Sequence, residues 1–331
     1  MKELGVGLIG CGSMGTGLIN AAASLGARVV AGADPADEQR ARFKESYKEA
    51  KVYETVEQLL ADDEVQAVFV ASPNHLHCEH TVAAAQARRH VFCEKPMALT
   101  AADCDRMIEA CDQAGVKLMV GQVLRYIPDL CWALQLVRSG QLGRPVAVSI
   151  ERLWGAVGRT WQIPWRIEKR FSGGWLYEVN VHEIDYMCEI LGSPQRVYAT
   201  TAKFIESNHD IEDLALATFH FPNGGVGLIQ GGSCSLLGRY EVAVFCEKGD
   251  LFLDRNADAI RYHTLDGELV EQKRSEIPET ESPVQREVRE FLEAVTEDKP
   301  VTIPGHIGRR AIAAIEAAYR SAATGQPVDI I

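Results

Sequence analysis

The sequence predicts an α/β chain in two parts: an N-terminal doubly wound parallel sheet, then an α+β domain built on a large, mostly antiparallel open sheet. Three observations predict it. Gly5-Val6-Gly7-Leu8-Ile9 runs straight into Gly10-Cys11-Gly12-Ser13-Met14-Gly15, a strand, a glycine turn and the start of a helix. Strands and helices then alternate as far as Val120, which implies a parallel sheet covered on both faces. Beyond Gly121 the apolar runs become strand-like and turn signals multiply, which implies antiparallel pairing. The boundary is placed so that residues 1–122 form the first domain and 123–331 the second.

The elements follow in order. The glycine turn leads into a helix through Ala22, and Arg28–Ala33 is a second strand ending at Asp34. A polar helix covers about 36–47. Ala67–Ala71 is a core strand ending at Ser72-Pro73-Asn74, and a helix near Cys78–Arg88 leads to the strand His90–Cys93. Thr100 can cap the next helix, with Asp103 in its first turn, and Gly115 ends it. Val116–Val120 is the last strand of this half. The second half offers strands at 145–151, 196–204, 214–221, 226–231, 240–246 and 251–253. Pro222-Asn223-Gly224-Gly225 reads as a hairpin turn, since asparagine and glycine tolerate positive φ. Leu176–Leu191 reads as one continuous helix. Ser282-Pro283-Val284-Gln285 opens another with a capping box and proline at its first position, and a last helix covers about 307–323.

Composition narrows the function. The chain has 331 residues, 47% of them hydrophobic, and a formal charge of −12. No basic run stands out, which argues against nucleic acid, because phosphate binding needs a concentrated cationic face. No segment approaches the length of a membrane span. Met1-Lys2-Glu3-Leu4 leads almost at once into the first strand, so no signal peptide is expected. The 9 cysteines show no CxxC pair, and their odd number and irregular spacing point to reduced thiols and a cytoplasmic protein.

The turn Gly10–Gly15 has the G-x-G-x-x-G spacing. Its glycines allow a tight turn, a close backbone approach by a diphosphate and close helix–strand packing. Gly10, Gly12, Ser13 and Met14 are therefore candidate contacts of a dinucleotide at the helix N-terminus. Asp34 stands 19 residues after Gly15, near the spacing of the acid that binds the adenosine ribose. That acid repels a 2′-phosphate, so NAD is expected in preference to NADP. Ligands on such sheets sit beyond the strand C-termini, which adds Ser72, Asn74, Glu94 and Lys95. His75, His77, Cys78 and His80 resemble a metal cluster, but their spacing fits no standard zinc pattern. His77 is expected to border the cofactor instead.

Chemistry is expected at two further places. A lysine at the ligand edge, Lys95 of Glu94-Lys95-Pro96, can reach a nicotinamide ribose and a substrate hydroxyl. Glu178, His182 and Asp185 lie at i, i+4 and i+7 and share one face of a regular helix. A carboxylate one turn away can orient an imidazole, which suits a general base. Trp154, Trp161, Trp165 and Trp175 lie among Arg152, Arg159, Arg166, Lys169 and Arg170. Indole faces suit sugar C–H faces, and arginines suit carboxylates or phosphates.

Taken together, the chain resembles the glucose–fructose oxidoreductase/inositol dehydrogenase/rhizopine-catabolism family (Gfo/Idh/MocA). The resemblance rests on Gly10–Gly15, Asp34, Ser72-Pro73-Asn74-His75-Leu76-His77, Glu94-Lys95-Pro96, Pro164-Trp165-Arg166, and Gly173-Gly174 followed by His182 and Asp185. It implies an N-terminal Rossmann domain and a C-terminal sheet that often mediates oligomerisation, here as a homodimer or homotetramer. It implies NAD(P)-linked oxidation or reduction of a carbohydrate or cyclitol. Lys95 then corresponds to the family's catalytic lysine and His182 to its histidine acid/base. Gln122, Trp165 and Arg166 join the cofactor set. Glu178 stands where many members have aspartate, and Ser172 replaces the first of three usual glycines. Two other readings exist, a redox-assisted glycosidase and a catalytically silent NAD-binding regulator. Keeping both Lys95 and His182 argues against the second.

Overall fold

A computed structural model describes residues 4–154, 163–204 and 209–331. Arg159 and Trp161 lie outside the described residues. The chain divides into two compact units. One holds residues up to Val123 together with Glu281–Arg309, and the other holds Leu124–Thr280 with Arg310–Ile331.

The first unit begins with β1 (Gly5–Ile9), α1 (Ser13–Ser24), β2 (Arg28–Ala33), α2 (Asp37–Ser46), β3 (Lys51–Tyr53) and α3 (Val56–Leu60). It continues with β4 (Ala67–Val70), α4 (His77–Gln86), β5 (His90–Cys93), α5 (Ala101–Ala114) and β6 (Leu118–Val120). Thr100 accepts from the Asp103 N–H at 3.0 Å, and Gly115 closes α5 in the left-handed conformation, as their residue types lead one to expect. The six strands are all parallel, in the order β3-β2-β1-β4-β5-β6.

The second unit has α6 (Pro128–Arg138), β7 (Pro145–Leu153), α7 (Lys169–Ser172), α8 (Val181–Leu191), β8 (Arg196–Ala202), β9 (Leu214–His220) and β10 (Val226–Gly232). Then come β11 (Arg239–Cys246), β12 (Gly249–Asp254), β13 (Ala259–Thr264) and β14 (Val270–Gln272). The chain ends with α9 (Pro283–Thr296), α10 (Gly305–Thr324) and β15 (Val328–Asp329). Among the described residues the second sheet has nine strands, β14-β13-β12-β11-β7-β10-β9-β8-β15. Only β7 and β10 pair in parallel; every other neighbouring pair is antiparallel. The turn at Pro222–Gly225 joins β9 to β10, with Gly224 at φ +81° and the Asn223 side chain accepting from the Gly225 N–H at 2.9 Å.

One grouping differs from the division expected at 122/123. Helix α9 belongs to the first unit. Its Phe291 packs against Phe69 of β4 and Phe92 of β5, with ring centroids 5.6 and 5.7 Å away. All three rings are fully buried. Burying side chains of this size contributes about 1.5–3 kcal/mol each, so the return of α9 completes the core of the parallel sheet.

Candidate active site

In the first unit, strand order reverses between β1 and β4, where such sheets take ligands. Gly10 has φ +92°, and a Cβ there would lie 2.7 Å from both the Ala71 carbonyl oxygen and the Ser72 nitrogen. Gly15 would drive a Cβ into the Gly10 carbonyl, so α1 can lie this close to β1 only with glycine there. A Cβ on Gly12 would meet nothing within 4 Å. No side chain caps α1, which leaves its first N–H groups, at Ser13 and Met14, available to an anion. An open backbone facing uncapped N–H groups fits the diphosphate of a dinucleotide.

Asp34 ends β2 with its carboxylate pinned, accepting from the Cys11 N–H and the Ala36 N–H at 2.9 Å each. Burial and the Asp34 charge push the Cys11 thiol up to about 12, so it stays protonated. Arg40 was not legible as part of this corner. Its Nη1 donates to the Asp34 carbonyl oxygen at 2.6 Å, and its Nη2 pairs with Asp37.

His77 sits deep at the ligand edge. It is 1% exposed, and its ring nitrogens face two backbone carbonyls, Pro96 O at 2.7 Å and Ser72 O at 2.8 Å. The ring thus lies between the loop after β4 and the loop after β5, and when neutral it donates its one N–H to one of the two carbonyls. Burial drives its pKa down to about 4 against the opposing pull of the two carbonyls. His80 contacts the Ser72 hydroxyl at 2.9 Å. Among the described residues no group of three or more His, Cys, Asp and Glu side chains is placed to hold a metal ion.

His77 thus stands between the loop of Ser72 and Asn74 and that of Glu94-Lys95-Pro96. The Lys95–Pro96 bond is cis. Glu94 is buried and its carboxylate accepts from the Lys95 N–H at 3.0 Å; the Lys95 side chain is half-buried. Gln122 is 1% exposed just past β6. Sequence reasoning missed the residue beneath this ledge, Glu287 of α9. It is fully buried, accepts from the Gln122 backbone N–H, and its Oε2 has no hydrogen-bond partner among the described residues. Burial first, and the neighbouring Glu94 second, push its carboxyl well above the usual range. No local pattern marks it, because the contact joins residues far apart in the chain.

In the second unit, the expected continuous helix over 176–191 is interrupted. Leu176–Asn180 is a π-helical turn and α8 starts at Val181. Such turns widen the helix and recur at functional sites. They also break the four-residue register, so Glu178 and His182 do not stand one regular turn apart. Gly174 feeds this turn at φ +102°, and a Cβ there would lie 2.5 Å from the Tyr319 hydroxyl. Glu212, from the segment before β9, accepts from the Trp175 N–H at 2.9 Å, from Lys169 at 3.1 Å and from the Tyr319 hydroxyl.

His182 and Glu178 are 8% and 7% exposed. Glu178 forms an ion pair with Arg166 at 3.0 Å, and the Arg166 guanidinium lies 5.1 Å from the Trp165 ring. Arg166, assigned by resemblance to the cofactor, thus has a carboxylate partner within its own unit. Asp185 does not join this group. It is gripped by Arg125 through two hydrogen bonds of 2.6 and 2.8 Å, and Glu189 and Arg310 complete that buried network. Glu183 is held by Arg152 at 2.6 Å, Tyr240 at 2.8 Å and Asn180 at 3.1 Å.

No helix among the described residues is long and apolar enough to cross a membrane. All nine cysteines are free thiols.

Comparison with known proteins bears on both units. Residues 4–122 match the Gfo/Idh/MocA description "Oxidoreductase family, NAD-binding Rossmann fold", and residues 135–330 match "Oxidoreductase family, C-terminal alpha/beta domain". The chain is 31% identical over 209 residues, 62% of its length, to the 2,7-anhydro-N-acetylneuraminate hydratase of Escherichia coli. That match spans 56% of the hydratase, a little over half. It is 30% identical over 256 residues to the myo-inositol 2-dehydrogenase of Thermotoga maritima, covering 75% of each chain. The aldose–aldose oxidoreductase of Caulobacter crescentus superposes with a TM-score of 0.87 at 26% identity, covering 99% of this chain and 100% of that one. Its two matched halves, and the glycine cradle and double-glycine helix entry that fill them, place the chain in the Gfo/Idh/MocA family of oxidoreductases.

Proposed function

We propose that this chain is an NAD-dependent oxidoreductase acting on a secondary hydroxyl of a sugar, sugar derivative or cyclitol. The observation that carries this reading is the dinucleotide cradle, in which the open Gly12 backbone, the uncapped start of α1 and the pinned Asp34 carboxylate lie together. The proposed cofactor set is Gly10, Gly12, Ser13, Met14, Asp34, Ser72, Asn74, His77, Glu94, Lys95, Gln122, Trp165 and Arg166. Bound nicotinamide supplies the hydride acceptor or donor.

The protein's own residues handle the proton and the charge. His182 takes the hydroxyl proton as the carbon–oxygen bond gains double-bond character. Lys95 donates a hydrogen bond to the same oxygen and stabilises the negative charge that develops there. Glu178, fixed by Arg166, holds the entry to α8. The sugar names of the relatives support the substrate class, since one is a dehydrogenase of a cyclitol.

A second reading has specific support from the hydratase relative. In it, oxidation and re-reduction on the same substrate surround a non-redox step, and no net NADH forms. We also propose that the protein is a cytoplasmic homodimer or homotetramer. The nine-stranded sheet leaves Val226, Leu228, Phe245 and Phe252 exposed, an apolar surface that suits a second subunit.

A panel of aldoses, cyclitols, anhydrosugars and sugar acids, offered with NAD and followed by NADH absorbance, tests the reading. NADH formation with a ring polyol is the expected result. Consumption of a sugar without NADH favours the second reading, and no turnover of any member contradicts both.

A further inference from the structure

Among the described residues of the second unit, Arg125, Arg152, Arg166 and Lys169 are each committed to a carboxylate. Arg152 donates to Glu183 at 2.6 Å, Arg166 faces Glu178 at 3.0 Å, Lys169 faces Glu212 at 3.1 Å, and Arg125 grips Asp185 through two bonds. The four carboxylates are 1%, 7%, 4% and 1% exposed. A carboxylate that buried depends on its cation, and drawing the cation away strands an uncompensated charge. None of these cations can turn to a substrate carboxylate without that loss. The expectation of an anion site is therefore replaced at Arg152, Arg166 and Lys169, whose charges are matched inside the protein; Arg170 pairs with Glu168 at the surface, and Arg159 lies outside the described residues.

What the same wall does offer is apolar. Trp154 is 37% exposed and packs edge-on to the buried Trp175 at 5.8 Å. The Arg152 guanidinium lies 4.6 Å from the Trp154 ring centroid and 4.9 Å from that of Tyr240. The indole is thus held in place by groups whose own charge is balanced. A fixed, half-exposed indole suits the C–H face of a sugar or cyclitol ring.

We infer that this wall selects an uncharged ring polyol over a sugar acid, and that Glu178 sets the choice by holding the Arg166 guanidinium. The inference rests on the dehydrogenase reading for what binds here. Glu178 is singled out because the other carboxylates also support the fold. Glu183 holds Tyr240 and Asn180, and Glu212 holds the Trp175 N–H and Tyr319. Replacing Glu178 frees one guanidinium and leaves those contacts in place.

The test compares D-glucose with D-glucuronate and D-galactose with D-galacturonate, pairs that differ by a carboxylate. Binding to the NAD-saturated protein is followed by tryptophan fluorescence, and turnover by NADH. The wild type should bind each neutral sugar about tenfold or more tightly than its acid. Glu178→Gln should move that ratio about tenfold toward the acid, since a freed guanidinium binds carboxylates well. Glu178→Asp, which keeps the charge, should hold the wild-type preference. A wild type that prefers the acids or binds no neutral member overturns the inference, as does a Glu178→Gln ratio equal to that of the wild type. Because binding is read without turnover, a missing NADH signal removes the dehydrogenase reading while the ratio still decides on the wall.

Discussion

Arg166 Nε stands 3.0 Å from Glu178 Oε1, joining the short turn Pro164–Ile167 to the π-helical turn that precedes His182. The place of the Glu178 carboxylate therefore depends on a segment outside its own helix. Its length matters for reaching that partner, and the π turn removes the simple one-turn relation to His182.

Glu178→Ala should leave Arg166 without its carboxylate. Removing one partner of an ion pair this buried strands the other charge, a cost of about 3 kcal/mol, and urea unfolding should show a loss of that size. Glu178→Asp keeps the charge one methylene short. Its kcat should fall about tenfold, because small displacements near reacting groups are costly. Wild-type stability in Glu178→Ala would show that the pair does not hold this turn.

His77 gives the fold a pH dependence with a definite sign. The folded ring titrates near 4, below its ordinary value of 6.5, because it is buried. Between those values the unfolded chain binds the proton and the folded protein does not. Stability is full above about 6.5 and falls as pH drops toward 4, by about 3 kcal/mol from this residue. Burial lowers His80 and His90 in the same direction. The His77→Gln variant isolates the contribution, and its melting temperature should depend less steeply on pH across this window. An unchanged slope would contradict the buried neutral ring.

Glu287 acts with the opposite sign. Burial, and then repulsion from Glu94, hold its folded carboxyl well above the ordinary range, whereas the unfolded carboxyl ionises above about 4.5. The unfolded chain thus releases a proton that the folded protein keeps, and stability falls as pH rises. Glu287→Gln is neutral at every pH. It should melt higher than the wild type at pH 8 and match it near pH 4.5. A lower melting temperature at pH 8 would contradict the raised carboxyl.

Asp34 and Arg40 should divide cofactor choice. Asp34 repels a 2′-phosphate, and Arg40 lies beside it with one nitrogen on the Asp34 carbonyl. Asp34→Ser removes the repulsion and leaves the cation. Fluorescence titration should then show NADPH binding at least about tenfold tighter than in the wild type, with NADH weakened. Wild-type preference in this variant would place the selectivity elsewhere.

Much of this was legible in the sequence because the signals are local. The three glycines, Asp34, the Thr100 and Ser282 caps and the Pro222–Gly225 turn each act within a few residues. The parts that were not legible depend on residues far apart. Glu287 and Phe291 return from the end of the chain to the first unit, and nothing near them in sequence says so. Asp185 reads as a neighbour of His182, yet Arg125, 60 residues earlier, claims it. His77 reads as a ligand-edge imidazole, and its burial between the Pro96 and Ser72 carbonyls carries no local signal. The π turn is invisible to a 3.6-residue pattern, since the same residues fit a regular helix.

The most direct test of the catalytic roles is the pH–rate profile of kcat/KM for the wild type, His182→Ala and Lys95→Ala on the best substrate of the panel. A positioned acid/base contributes about 10²–10⁴-fold. Turnover should fall by that factor in each variant, and the His182→Ala profile should lose the rise with pH that reports the general base. The NAD affinity of His182→Ala should stay near that of the wild type. Wild-type turnover in either variant, or an unchanged pH profile in His182→Ala, would contradict the assignment of proton transfer to His182 and charge stabilisation to Lys95.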